Sequence, residues 1–359
     1  MKKMSLITAT LLLAGNLIAQ DSFESAIKAG TVSGDVVLYG ASESREAGND
    51  EEGFTSGSIG LGYETGSFNG FKAEVGFRAN QDFSEQTDGF HDDTTKAILH
   101  TANISFANKY FEAKVGRQEI DLEWMGDFHE AIVASTTAIP DTTVVFGFTN
   151  RIAVADADDY LADFEKVNND KGAYVLDAKY EGIEGLAVNP YYYNAPDLAK
   201  WYGLKLDYDT DVFGLTAHGA KSSEDVVGVE NGQVLHFEAR TEFSGLALNV
   251  GYITTDKDNG VGSIAELGDN ISVLEDGNQV YEADAKTTYL GLGYEISGFE
   301  LAALYGQTKY ANEKEKELNL AVDYGISENL AVGALFVDVN AQDSASDYNR
   351  IALTLQYSF

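Results

Sequence analysis

The sequence predicts an all-β chain closed into an antiparallel transmembrane β-barrel, and three observations carry that expectation. The first is the final ribbon, Tyr348 to Phe359. Ile351, Leu353, Leu355, Tyr357 and Phe359 share one parity, while Arg350, Ala352, Thr354, Gln356 and Ser358 share the other. A strand sends alternate side chains to opposite faces, so this ribbon is apolar on one side and mostly polar on the other. An edge strand so apolar invites aggregation unless covered, and the economical cover is the first strand of the same sheet. Leu353, Leu355, Tyr357 and Phe359 are therefore expected to carry barrel closure and assembly.

The second observation is repetition. Ribbons of about 8 to 13 residues, near the length a tilted strand needs to cross a bilayer, fall near 32–40, 57–66, 70–80, 95–106, 110–118, 130–138, 142–152, 172–181, 185–194, 200–209, 212–221, 233–243, 245–254, 284–296, 298–307, 316–325, 330–339 and 348–359. The count is eighteen, with sixteen as the alternative. The sixth alternates poorly, and Pro190 in the ninth implies a bulge or an edge-like site. The third observation is the connections. Those after even-numbered ribbons are short, as at Asn69-Gly70, whereas 41–56, 81–94, 153–171, 222–232 and 255–283 are long and acidic. Short turns on one rim and long loops on the other are the mark of an outer-membrane barrel. A soluble sandwich has no reason to keep that asymmetry.

The chain opens with Lys2 and Lys3, an apolar run over 6–18, then Ala19 before Gln20-Asp21-Ser22. That order describes a cleaved signal peptide over residues 1–19. The run is about 13 residues, too short for a membrane helix, which needs about 20. Residues 20–31 are expected to form a short periplasmic segment with two helical turns, and 32–359 the barrel.

Composition agrees. There are 36 glycines, 3 prolines and no cysteine, with 20 tyrosines and 19 phenylalanines. Formal charge is −34, and losing the leader's two lysines deepens it to −36. So acidic a chain excludes nucleic acid as a partner. About −22 of the excess sits in the five long loops. Their carboxylates solvate an outer crown and are expected to favour cations at the mouth.

The run Lys114-Val115-Gly116-Arg117-Gln118-Glu119-Ile120-Asp121 leads through Phe128-His129-Glu130-Ala131 to Ile139-Pro140-Asp141-Thr142-Thr143. It resembles the stretch around the third loop of the Opr-type (OprD-like) outer-membrane porin family of epsilonproteobacteria. The segment Ala29-Gly30-Thr31-Val32-Ser33-Gly34 and the ending Gln356-Tyr357-Ser358-Phe359 are similar to that family too. The resemblance covers about a sixth of the chain. It implies an eighteen-stranded barrel, assembly as a homotrimer, and a third loop, near 119–128, folded into the pore. That loop carries Glu119, Asp121, Glu123 and Asp127, the expected acidic side of a constriction.

The expected basic side is Lys72, Arg78, Lys114, Arg117, Arg151, Arg240 and Arg350, with Lys179 and Lys205 on the same parity. These bases are scattered among acids, which departs from the ladder of wall arginines found in the family. Opposed charges across a narrow passage would orient dipolar solutes. No metal site is expected, because the five histidines have no ligand spacing and 256–260 lacks the spacing of a calcium loop. The acidic loops could still hold Ca²⁺ or Mg²⁺ loosely. No cofactor or catalytic constellation is expected.

Together these readings place the chain in the outer membrane of a Gram-negative bacterium, touching lipid outside and passing ions and small hydrophilic solutes inside, with weak preference for cations. Two alternatives stay open: a substrate-specific channel for small cationic solutes such as basic amino acids, and a blocked structural or adhesive barrel.

Overall fold

The computed structural model describes residues 21–45, 51–87, 90–91, 95–158, 160–268 and 271–359. The expected leader, residues 1–19, lies outside them. A helix, α1 (Phe23–Lys28), comes first, with Ser22 capping its N-terminus. Strands follow as β1 (Thr31–Arg45), β2 (Glu51–Glu64), β3 (Phe71–Glu85), β4 (Ala97–Ala107), β5 (Phe111–Glu119), β6 (Phe128–Thr136), β7 (Thr142–Ala155), β8 (Leu161–Lys166), β9 (Ala173–Ile183) and β10 (Leu186–Ala195). The rest are β11 (Ala199–Asp209), β12 (Phe213–Glu224), β13 (Gly232–Phe243), β14 (Leu246–Thr255), β15 (Lys286–Ile296), β16 (Phe299–Tyr310), β17 (Glu313–Gly325), β18 (Leu330–Asn340) and β19 (Tyr348–Ser358).

Apart from β8 and β9, sequential neighbours pair antiparallel, and β19 returns to β1 from Asp35 against Ser358 to Arg45 against Tyr348. Phe359 finishes the seam. Its N–H donates to the Gly34 carbonyl and its carbonyl accepts from the Gly34 N–H, both at 3.0 Å. Eighteen strands go round, so the sixteen-strand alternative falls. The nineteenth, β8, pairs only with the outer end of β7, while β9 takes the inner part of β7 from Thr142 to Thr149. The segment expected to be a plain loop over 153–171 thus holds a short flap strand, packed by Ile98, Ala153, Ala155 and Leu161.

The alternating parities separate as a membrane requires. Leu353 is 58% exposed and its neighbour Ala352 is 4%. Leu290, Leu292, Val250, Tyr252, Leu320 and Val322 also point outward and are exposed. Polar residues such as Ser58, Asn103, Thr287 and Asn319 are buried on the inner face. Apolar outside and polar inside inverts the burial of a soluble protein and suits hydrocarbon contact. Closure removes the edge whose backbone groups lipid could not satisfy.

Turns at the terminal rim are tight. Ser244-Gly245 and Ser297-Gly298 both take positive φ (53°/79° and 53°/82°), the two-residue geometry whose twist matches the flanking strands. The other rim departs from expectation. β1 runs to Arg45, β2 begins at Glu51 and β3 runs to Glu85, so most of 41–56 and the start of 81–94 are strand, with Ser42 against Gly53 and Thr55 against Ser84. Loss of the apolar parity marks where lipid ends. Backbone pairing needs no apolar face and continues above it. The irregularity expected at Pro190 is not there: the register runs unbroken from Val188 against Tyr180 to Tyr191 against Asp177, and Pro190 sits opposite Leu204, while the shift in that ladder falls between Leu186 and Val188.

Candidate pore constriction

The β5–β6 connection turns inward, and its own residues explain why. Ile120, Trp124 and Met125 are buried, and Trp124 is 0% exposed. The tip is a tight turn in which Leu122 N–H donates to Met125 O (2.8 Å) and Met125 N–H to Leu122 O (3.2 Å). Trp124 Nε1 donates to the Tyr191 hydroxyl on β10 at 2.7 Å. The Tyr191 hydroxyl shares a second hydrogen bond with His218 Nε2 on β12 at 2.8 Å. His218 Nδ1 faces Glu123 Oε2 at 3.9 Å. Glu123 Oε1 accepts from Lys205 Nζ on β11 at 2.8 Å. Three wall strands thus hold the tip. Burial pushes the Glu123 carboxyl above its ordinary value although Lys205 pulls the other way.

A second insertion meets the first. The β14–β15 connection, expected to be part of the outer crown, buries Ile264, Leu267, Ile271, Leu274 and Val280 inside the barrel. Gly126 N–H, next to the tip of the first loop, donates to Leu267 O at 2.9 Å. Trp201 Nε1 donates to Ser263 Oγ at 3.0 Å. The segment then crosses to the far wall. There Asp276 and Gly277 N–H donate to Glu317 (3.0 and 2.9 Å), and Asp276 accepts from Tyr348 (2.7 Å) and Arg350 (2.6 Å). Gly306 makes room for it, since a Cβ there would lie 2.6 Å from Leu274. Sequence reasoning missed this loop. The available signal was its run of large aliphatics, which a solvated loop would not keep.

The four loop acids divide into two groups. Glu123 goes to Lys205, a base counted in the sequence only as one of a scattered set. Glu119, Asp121 and Asp127 are exposed, and Asp121, Asp127, Glu74 and Lys114 all lie within electrostatic reach of Glu119.

Each of the expected basic partners has an acid within ion-pair range. Arg78 is clamped by Asp35 through two bonds of 2.8 Å and by Ser58. Arg117 and Arg151 share Glu130 (2.9 and 3.4 Å), and Arg240 holds Asp209 (2.7 Å). Lys72 pairs with Glu64 (2.6 Å), Lys114 with Glu74 (3.6 Å), Lys179 with Glu181 (2.9 Å) and Arg350 with Asp276. Arg78, Arg117 and Arg240, expected to oppose the loop acids, thus each hold an acid on the wall: Asp35, Glu130 and Asp209. A short-range ion pair with a strand neighbour outweighs a distant carboxylate across solvent.

Among the described residues no group of three or more His, Cys, Asp or Glu side chains is arranged for a metal ion. The calcium-like run folds on itself, with Asp258 N–H donating to Asp256 Oδ1 at 2.8 Å.

Residues 4–244 match the family model described as "Putative outer membrane protein". Among curated proteins nothing matches the chain. Among solved structures, the fold is similar to Pseudomonas aeruginosa OpdO, with TM-score 0.79 and 14% identity over 94% of this chain and 98% of that one. It is also similar to Pseudomonas aeruginosa OccK9 (OpdG), with TM-score 0.77 and 15% identity over 93% and 99%. Acinetobacter baumannii OccAB4 gives TM-score 0.74 and 15% identity over 91% and 98%.

Proposed function

The chain belongs to the family described as "Putative outer membrane protein", and from that premise we propose that it is a passive channel for small hydrophilic solutes with a preference for cations. It resides in the outer membrane, with apolar side chains toward lipid. The observation that supports the reading is charge placement at the inward loops. Arg78, Arg117 and Arg240 have their charges taken up by acids on the wall and Arg350 by Asp276 of the inserted loop, while Asp121, Asp127 and Glu74 lie near Glu119 with Lys114 beside it. A few carboxylates at about 8 Å from an ion in water each contribute roughly 0.5 kcal/mol before screening. Acting together they bias passage by about tenfold, enough for cation preference.

The second reading is a channel specific for small cationic solutes such as basic amino acids. It is favoured by the second inserted loop, which narrows the barrel further than one loop would. In both readings the protein conducts without cofactor or reaction, and its assembly is a homotrimer. Single-channel recording in asymmetric KCl is the test. A reversal potential of the anion-selective sign sinks the cation reading, and the absence of any conductance step leaves the blocked, structural barrel. Saturable block by arginine at micromolar to millimolar levels favours the specific channel. Native mass spectrometry reads the trimer.

A further inference from the structure

The run Glu313-Lys314-Glu315-Lys316-Glu317 opens β17 with charge alternating at the strand period. Parity turns the acids inward, where Glu315 and Glu317 are buried. The two lysines share the outward face with Leu320 and Val322, each 41% exposed. Register adds two more amines. Lys314 stands opposite Lys309 on β16, and Lys309 stands opposite Lys286 on β15. Both belong to the outward parity of Tyr305 and Leu290. Four amines therefore occupy three adjacent strands on the lipid-facing side, at the rim opposite the Ser297-Gly298 turn.

Like charges set directly opposite across a ladder destabilise a sheet, and this patch does little to relieve it from within. Lys286 has Asp284 at 2.7 Å. Lys309, Lys314 and Lys316 have no carboxylate in ion-pair range among the described residues, in a chain with 58 acids. Lys109 and Lys221 are the other described bases in that condition, and neither adjoins the patch. A groove of about 360 Å³ opens beside the amines, lined by Lys286, Lys309, Lys314 and Gln342 and also by the carboxylates of Asp284 and Glu313. Lys316 sits two residues, about 7 Å, above Leu318 at the top of the apolar band. That is headgroup level on the outer leaflet.

We propose that this patch is a binding site for the phosphate-bearing headgroup of an outer-leaflet glycolipid, the lipid A part of lipopolysaccharide. The lysines supply the charge, the groove takes the sugar, and the apolar band below takes the acyl chains. A basic cluster at a membrane surface attracts anionic headgroups by this means.

Native mass spectrometry of the full chain in detergent, titrated with purified lipid A, tests it. Wild type is expected to retain lipid A, and K309Q/K314Q/K316Q to bind it at least about tenfold more weakly. K109Q, at the opposite rim, should match wild type. Heat-shifted gel mobility checks that each barrel is closed. Should the triple variant fail to close, K314Q alone is expected to weaken binding about threefold. Wild-type affinity in whichever of the two variants closes overturns the proposal. Equal binding of dephosphorylated lipid A also overturns it, because contact would then rest on acyl chains alone.

Discussion

Glu123, at the tip of the inserted β5–β6 loop, and Lys205, on the wall strand β11, form a 2.8 Å ion pair that ties the loop across the barrel. Their side chains are 13% and 24% exposed, so neither charge is freely solvated. Removing Lys205 leaves Glu123 partly buried without its amine, at a cost of about 1–3 kcal/mol, whereas Lys205 without Glu123 keeps Asp207 at 3.8 Å. Lys205→Met is expected to strengthen cation preference by removing the amine, and Glu123→Gln to weaken it. Reversal potentials in a KCl gradient read both, and identical values for the two variants would remove the pair from the conduction path.

Acid should act on the same pair. Burial raises the Glu123 carboxyl, so as pH falls it takes up a proton before an ordinary glutamate does. Cation preference should therefore begin to fall at a pH above the usual carboxylate range. In Glu123→Gln the early part of that fall is expected to shrink, the remaining loop acids supplying the rest. A wild-type profile identical to that of the variant would contradict this.

Trp124 anchors the loop through packing and its bond to Tyr191. Trp124→Ala should cost the loop about 3–5 kcal/mol and leave the wall ladder untouched. The expected result is a barrel with normal heat-shifted mobility but larger, noisier conductance. Unchanged conductance would mean the loop does not set the narrowest section.

Arg78 and Asp35 are a buried, doubly bonded pair spanning β1 and β3. Arg78→Ala strands Asp35 and should lower stability by about 3–5 kcal/mol, seen as an earlier midpoint in urea unfolding. Adding Asp35→Asn should recover much of that loss. A double variant as unstable as the single would show that packing, not the stranded charge, is responsible.

Closure depends on Gly34. A Cβ there would lie 2.7 Å from the Phe359 ring and 2.5 Å from the Gly60 carbonyl oxygen. Gly34→Val is expected to cut the yield of heat-shifted, closed barrel sharply in a refolding assay. Wild-type yield would show that the seam tolerates displacement of the terminal aromatic ring.

The wall was legible residue by residue. Parity at Ile351–Phe359, the glycine turns and the eighteen ribbons depend on side chains two positions apart or on a single turn, and such relations are written locally. The inward third loop was legible through resemblance, and its apolar Ile120, Trp124 and Met125 agree with it. The charges were less readable. Arg78, Arg117 and Arg240 pair with Asp35, Glu130 and Asp209, partners that only strand register brings beside them.

By itself the sequence determined which face of each ribbon meets hydrocarbon and how the ends close, because a period of two forces alternate side chains apart. Tertiary structure alone decided that the β14–β15 loop enters the barrel, that β8 folds as a flap, and that Lys205 rather than a wall arginine holds Glu123. Those outcomes rest on contacts between residues far apart in the chain. Which of them forms is a competition among burial, hydrogen bonds and charge that exists only once the strands are in place.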